Sequence, residues 1–194
     1  MSNTCSDLLI LINIGVRPRA APPPTFVNVY WWPLTNNWIK VNTDGSASGA
    51  PGQIAARGIF RDKFCSVKGC FHIKGGLGYA FEAELLAVIT AVQIAHSRGW
   101  NYLWIESDST YIVRLLHSGY LAVPWRFAAL WSKVLDIIKG FHVHATHIYR
   151  EGNKVDDILA HNSMPEGWWP FEIDIIKDVV CLDISTHSHL RRVD

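Results

Sequence analysis

Four acidic residues lie at positions where the predicted structure alone does not require a charge: Asp44, Glu84, Asp108 and Asp157. Each stands near the predicted end of a strand or the start of a helix, so several elements could bring their carboxylates together. Crowded carboxylates repel one another, which raises their pKa values unless cations lie between them. Mg²⁺ binds oxygen ligands and also substrate phosphate. The pattern therefore indicates metal-assisted phosphate chemistry.

Each acidic residue also has an ordinary structural explanation. Asp44, within "NTDGS", can form a turn, and Glu84 can complement the dipole of its own helix. Asp108 can cap the helix that follows it. Near the fourth residue, Asp156 suits a capping-box position behind Asn153. The chemical interpretation depends on all four residues in this order, since no single one distinguishes the two explanations.

Hydrophobic patterns predict the elements that would position these residues. Strands are expected over 37–44, 54–60, 66–73, 102–107 and 143–149, and helices over 82–98, 109–117, 125–139 and 153–161. The order βββαβαβα predicts an α/β fold with a five-stranded mixed sheet flanked by helices. If the first and fourth strands are neighbours, Asp44 and Asp108 emerge at the same edge of the sheet.

Composition predicts three parts of the chain. Residues 1–36 are expected to form an N-terminal extension with a Pro-rich linker, "RPRAAPPP". Residues 37–162 form the expected domain, and 163–194 form a tail that is partly docked. The aromatic residues expected to dock it are Trp168, Trp169 and Phe171.

The bulk composition is that of a globular protein. Of the 194 residues, 49% are hydrophobic and 18% are charged, which is enough for a sizeable core. The net charge of +1 excludes a broadly basic surface, although a local patch could still bind nucleic acid. The four cysteines lack metal-binding spacing, so we expect free thiols in an intracellular compartment, cytoplasmic or nuclear. The apolar run at 8–12 is far shorter than the roughly 20 residues of a membrane-spanning helix, so no membrane partner is expected.

An ordered series of short motifs carries a family resemblance over about residues 37–162. The segments "WIKVNTDGS", "RGIFRD", "AELLAV", "IESDS" and "HIYREGNKVDDILA" resemble the type 1 ribonuclease H domain. The similarity is to its plant branch, the reverse-transcriptase-like domain of non-LTR retroelements and stand-alone relatives. The resemblance implies a ribonuclease H-like fold and an endonuclease that hydrolyses the RNA strand of RNA/DNA hybrids. It also implies two Mg²⁺ ions, with Mn²⁺ as a substitute. We expect a monomer.

The resemblance implies a role for each acidic residue. Asp44 matches the aspartate that bridges both metal ions. Glu84 and Asp108 match ligands of the second ion, and Asp157 matches a ligand of the ion that activates water. The family usually has Ala at the position of Asp156, where this chain reads "NKVDDILA". The extra negative charge could perturb metal affinity, and it leaves the choice between the two adjacent aspartates open.

Five further residues are weaker candidates. Gly45 and Ser46 could approach the sugar-phosphate chain of a substrate, because no bulky side chain blocks them. Arg150 and Asn153 could also contact substrate, with a solvated surface charge and a helix cap as their structural alternatives. His147 matches a mobile histidine that assists product release in some relatives, although a structural role is the favoured interpretation.

Single residues exclude one other enzyme class and disfavour a second. A phosphatase with an Asp-x-Asp-Gly-Thr strand end needs a nucleophile where this chain has Asn42. A proofreading-type exonuclease usually opens with Asp-x-Glu, and this chain has Ser46 at the third position. A non-enzymatic alternative stays open: a catalytically weak or inactive domesticated retroelement domain that binds nucleic acid or protein. Asp156 favours it, as does the short, nearly uncharged "SGYLAVPWRF" where cellular relatives carry a basic protrusion.

Overall fold

The computed structural model describes residues 34, 37–118, 123–150, 153 and 166–170, together with the backbone of 25–30 and 188–193. The described strands are β1 (Thr25–Tyr30), β2 (Ile39–Gly49), β3 (Gly52–Arg61), β4 (Val67–Gly78), β5 (Tyr102–Ser107), β6 (His142–His147), β7 (Gly167–Trp169) and β8 (Ser188–Val193). The described helices are α1 (Ala80–Ser97), α2 (Thr110–Ser118) and α3 (Trp125–Ile138). Apart from Asn153, the predicted helix at 153–161 lies outside the described residues, and so do Asp156 and Asp157.

The chain divides into two compact units, of which the larger is Asn28–Leu190. This larger unit contains a six-stranded sheet and the three described helices. All the site residues discussed below belong to it. A separate two-stranded sheet pairs β1 with β8.

The six-stranded sheet has the order β6-β5-β2-β3-β4-β7. Its strands β6, β5 and β2 are parallel, and β2, β3, β4 and β7 are successively antiparallel. The predicted α/β class with a mixed sheet is confirmed, and β2 and β5 are neighbours as expected. The prediction of five strands was one short, because β7 adds to the edge at β4. A three-residue strand is too short for hydrophobic alternation to reveal it.

The prediction that the first strand ends at Asp44 was wrong, since β2 continues to Gly49. The parallel pairing with β5 stops at Thr43 and Ser107. The antiparallel pairing with β3 continues as far as Gly49 and Gly52. The sheet therefore splits immediately before Asp44. The expected common edge exists because β5 ends there, and "DGS" lies within a strand instead of forming a turn.

Helix α1 packs its apolar face on the sheet and forms the centre of the core. Its buried stripe has helical spacing and comprises Leu85, Val88, Ile89, Val92 and Ala95. Buried residues of the other helices join the same cluster: Ile112, Leu115, Phe127, Trp131 and Val134. By length and composition α1 could also cross a membrane, but half of that segment is buried inside the protein. Core packing therefore explains its apolar character.

The start of α1 is held by Glu82. The backbone N–H of Tyr79 donates to Oε2 of Glu82 at 2.8 Å, and Nε of Arg126 lies 2.9 Å from Oε1. Glu82 thus has the capping and dipole role that the sequence could equally assign to Glu84. Glu84 was predicted in the first turn and lies in the second. Its carboxylate is not needed to start the helix.

The two tryptophans expected to dock the tail form β7. Trp168 is the register partner of Phe71 on β4. Its ring packs edge-on against Phe60 at 5.6 Å between centroids, and the guanidinium of Arg98 lies 5.0 Å from its centroid. Phe171 lies outside the described residues.

Candidate functional site

Three of the four acidic residues meet at the edge where the sheet splits. Carboxylate oxygens of Asp44, Glu84 and Asp108 all lie within 4.8 Å of one another. Strand β2 supplies the first, α1 the second, and the residue directly after β5 the third. Asp157 lies outside the described residues, so its place relative to this carboxylate cluster stays a prediction.

Gly45 allows α1 to approach the sheet closely enough for Glu84 to reach this edge. A Cβ atom at position 45 would lie 2.1 Å from the backbone nitrogen of Glu84 and 2.3 Å from the carbonyl carbon of Ala83. No side chain fits in that space. The backbone of Gly45 also hydrogen-bonds to the Glu84 carboxylate. The structure thus shows a packing role for Gly45, and its contact with a substrate stays a prediction.

The surroundings of Glu84 disfavour a negative charge on its carboxylate. Burial, followed by the charges of Asp44 and Asp108, raises the pKa of Glu84 to about 9. The hydrogen bond from Gly45 and the charge of Arg150 oppose this rise. Its Oε2 is buried without a hydrogen-bond partner among the described residues. A set of carboxylate oxygens with one of them buried and unsatisfied fits a hard divalent cation, which would supply the missing positive charge.

Asp44 has a cation beside it within the protein. The β2–β3 register places Arg57 directly opposite Asp44, and Nη1 of Arg57 lies 3.8 Å from Oδ2 of Asp44. The same nitrogen donates to Oγ of Ser46 at 2.8 Å. The two charged side chains are only 7% and 11% exposed. The sequence interpretation missed Arg57, although an arginine inside an otherwise apolar strand was a signal for a buried partner.

Ser109 caps α2, and this leaves the Asp108 side chain for the cluster. Oγ of Ser109 accepts the Ile112 N–H at 3.5 Å, the geometry of an N-cap. The backbone carbonyl of Asp108 accepts a hydrogen bond from Nε2 of His147 at 3.1 Å. His147 therefore contacts the backbone that carries Asp108, which is a structural contact. Its role in product release stays a prediction.

Asn153 anchors the chain that follows β6 to β2, beside the cluster. Its Nδ2 donates to the backbone carbonyl of Thr43 at 3.2 Å, one residue before Asp44. Asn153 is only 3% exposed, so little of its surface is available to a substrate. Arg150 is exposed, and its charge acts on the Glu84 carboxylate. Of these two predicted substrate contacts, Arg150 is the one at the surface.

A buried polar network joins β2 to β5 directly behind the split in the sheet. Nζ of Lys40 lies 2.9 Å from Oε1 of Glu106, and Nδ2 of Asn42 donates to Oε2 at 3.1 Å. Nη1 of Arg61 donates to Oδ1 of Asn42 at 3.3 Å. None of the four residues is more than 5% exposed. Asn42 and Glu106 are register partners two residues before the aspartates, so the network fixes the strands that carry them.

The sequence interpretation did not identify this network. It used Asn42 only to argue against a phosphatase, and it assigned no role to Lys40, which lies within the predicted strand 37–44. Both sit on the face opposite Val41, which would be solvated if β2 had one exposed face. Their burial shows that both faces of β2 are covered. A glutamate inside the apolar run "YLWIES" was the available signal.

Comparison with known proteins connects this chain to one family. The profile of a family described as "Reverse transcriptase-like" matches residues 42–163, a range that includes all four acidic residues. A curated protein of Arabidopsis thaliana named "Putative ribonuclease H protein" is 32% identical over 162 residues. The match covers 80% of this chain and 26% of that protein, so the chain spans about a quarter of the relative's length.

Solved structures of RNase H1 proteins share the fold. The RNase H1 of the halophilic archaeon Halobacterium salinarum is 19% identical with a TM-score of 0.54, covering 60% of this chain and 89% of that chain. An RNase H1 isolated from compost by a metagenomic approach is 24% identical with a TM-score of 0.56. The match covers 62% of this chain and 91% of that chain. The same protein in complex with an RNA/DNA hybrid is 23% identical with a TM-score of 0.53. The match covers 59% of this chain and 88% of that chain. The predicted ribonuclease H-like fold is confirmed.

Proposed function

This chain belongs to the reverse transcriptase-like family, and we propose that it is a metal-dependent endonuclease that hydrolyses the RNA strand of RNA/DNA hybrids. The observation that carries the proposal is the convergence of Asp44, Glu84 and Asp108 within 4.8 Å. The comparisons support the choice of reaction and substrate, because the curated relative is named for ribonuclease H and one similar structure holds a hybrid. The expected products carry a 3′-hydroxyl and a 5′-phosphate.

The carboxylates are proposed to hold two Mg²⁺ ions, with Mn²⁺ as a substitute. The ligands are Asp44, Glu84 and Asp108, completed by Asp157. Bound cations would lower the pKa of the attacking water and stabilise charge on the phosphate and the leaving oxygen. The buried Oε2 of Glu84 supports a cation here, since it has no hydrogen-bond partner among the described residues.

The protein's own residues hold the carboxylates in place before a substrate arrives. The backbone of Gly45 holds Glu84, and Asn153 holds the strand at Thr43. His147 holds the carbonyl of Asp108. Because these contacts come from separate elements of the fold, they limit the motion of each ligand independently. A site fixed in advance needs little reorganisation during the reaction.

Substrate contacts are proposed for Gly45, Ser46, Arg150 and Asn153, as the sequence indicates. Arg150 has the best support, because it is exposed and its charge already acts on the cluster. A phosphate approaching the carboxylates would lie close to this guanidinium and gain a charge-assisted hydrogen bond. Gly45, Ser46 and Asn153 also hydrogen-bond within the protein, to Glu84, Arg57 and Thr43 respectively. RNA would be distinguished from DNA by its 2′-hydroxyls in the wide minor groove of the hybrid.

A cleavage assay with the purified chain tests the proposal. A hybrid labelled on the RNA strand, double-stranded DNA and double-stranded RNA are each incubated with Mg²⁺, with Mn²⁺ and with chelator. We expect the RNA strand of the hybrid to be cut only when a divalent cation is present. The matched control is Asp136→Asn, which removes an exposed carboxylate of α3 that pairs with Lys139. Hybrid cleavage that persists in chelator would reject metal dependence.

A second candidate is a nucleic-acid-binding domain without turnover. The observation that favours it is Arg57, a built-in cation 3.8 Å from Asp44 that could leave the site poorly loaded with metal. The same assay separates the two functions when hybrid binding is measured alongside cleavage. Binding to the hybrid with no cleavage in either cation would select the second candidate.

A further inference from the structure

The β2–β3 pair contains a cation–carboxylate contact that the proposed reaction does not use. We propose that Arg57 is a fixed counter-cation of the carboxylate cluster and competes with divalent cations for Asp44. The inference rests on the proposed function, because it concerns metal affinity at the same site. It identifies Arg57 as a residue that controls the affinity of that site for divalent cations.

The position of Arg57 is fixed by the backbone. Arg57 and Asp44 are register partners in the antiparallel β2–β3 pair, so their side chains leave the sheet on the same face. The hydrogen bond from Nη1 to Oγ of Ser46, at 2.8 Å, holds the guanidinium beside Ser46. The guanidinium therefore acts on Asp44 by its charge, across 3.8 Å, while its Nη1 donates a hydrogen bond to the hydroxyl of Ser46.

Burial makes this charge effective. The Arg57 and Asp44 side chains are 7% and 11% exposed, so water and salt screen their interaction only weakly. A positive charge beside a ligand oxygen offsets part of the negative charge that would attract a divalent cation. It also repels a cation that approaches the same oxygen. Both effects lower the affinity of the cluster for metal.

The contact between Arg57 and Asp44 offsets repulsion among the three carboxylates when no metal is bound. Asp44, Glu84 and Asp108 would repel one another if nothing offset their charge. Arg57 stabilises that metal-free arrangement from one side, and Arg150 acts on Glu84 from another. The same stabilisation has to be given up in part when a cation binds.

A purely structural role for Arg57 predicts the opposite change in metal affinity when Arg57 is removed. If Arg57 only positioned Asp44, its removal would loosen the site and weaken metal binding. If Arg57 competes with metal, its removal tightens metal binding even though the metal-free protein is less stable. The direction of the change in affinity therefore distinguishes the two roles.

Titration calorimetry with Mn²⁺ and with Mg²⁺ on the full chain measures this direction. Arg57→Gln is expected to bind the cation about tenfold more tightly than the unchanged protein, or better. Arg57→Lys keeps the charge and is expected to keep the original affinity within about twofold. Arg114→Gln is the matched control, since it removes an exposed arginine of α2 that is not part of the carboxylate cluster or of the buried network. Its metal affinity should stay within about twofold of the original.

Ser46→Ala provides a second variant at a half-buried position, so it does not depend on Arg57→Gln being folded. Loss of the hydroxyl removes the acceptor that holds the guanidinium away from Asp44. The competition should then strengthen, and metal affinity should fall severalfold. Unchanged or tighter binding in Ser46→Ala, or equal or weaker binding in folded Arg57→Gln, would overturn the inference. Hybrid cleavage by the unchanged protein would then leave the proposed function standing, whereas no metal binding by any variant would reject both.

Discussion

Gly45 and Glu84 are in backbone contact, and this contact places a helix carboxylate at the split edge of the sheet. A Cβ atom at position 45 would lie 2.1 Å from the Glu84 backbone nitrogen. The glycine of "DGS" therefore permits a close approach of α1 to β2. The tripeptide does not form a turn, which would be the ordinary explanation of its sequence.

Gly45→Ala is expected to destabilise the protein by about 3 kcal/mol or more, because the methyl group would overlap backbone atoms that cannot move aside. The comparison is Gly140→Ala after α3, where the nearest atom to an added Cβ is 3.7 Å away. That variant should change stability by less than about 1 kcal/mol. Urea unfolding followed by fluorescence measures both. Equal effects of the two substitutions would show that the close approach is not required.

The metal-free protein should lose stability as the pH rises from about 4.5 to about 9. An unfolded Glu84 releases its proton near pH 4.5, and the folded one releases it at about 9. Between these values the folded state binds a proton that the unfolded state does not, so raising the pH favours unfolding. Glu84→Gln has no titrating group at this position, so its stability should fall less steeply as the pH rises. Thermal unfolding in chelator across this range measures it, and identical slopes for the two proteins would contradict the burial of this carboxylate.

Lys40→Met is expected to cost about 3–5 kcal/mol, because it leaves Glu106 buried without its cation. The double variant with Glu106→Gln should be less damaging than the sum of the two single variants, since it removes both charges. Burial lowers the pKa of Lys40, and the nearby carboxylate opposes that shift. A double-mutant cycle from urea unfolding gives the coupling energy. Additive effects would contradict a direct ion pair.

The sequence predicts the fold well because the core follows simple periodicities. The stripe from Leu85 to Ala95 has helical spacing, and "YLWIES" becomes the strand Tyr102–Ser107 at the predicted bounds. It also predicts which aspartates meet, since β2, which carries Asp44, and β5, which ends just before Asp108, are neighbouring strands. The reason differs in detail, because only one of the two strands ends there.

What the sequence could not predict depends on contacts between distant elements. The role of Arg57 requires the β2–β3 register, which local patterns do not specify to one residue. Glu82 and Glu84 are equally good helix-start residues by composition. The Tyr79 N–H and the distant Arg126 on α3 both bind Glu82, which makes it the helix-start residue. The three-residue strand β7 depends on pairing with β4 and on Trp168, with no periodicity of its own.

The most direct test is single-turnover cleavage of a hybrid labelled on its RNA strand, in Mg²⁺, by the unchanged protein and by Asp44→Asn. The substitution keeps the shape of the side chain and removes the charge that would hold the cation. We predict metal-dependent cleavage by the unchanged protein and a loss of at least about a hundredfold in rate for Asp44→Asn. Asp136→Asn, far along α3, should cleave at the original rate. Cleavage by Asp44→Asn at the rate of the unchanged protein would contradict the assignment of the carboxylate cluster as the active site.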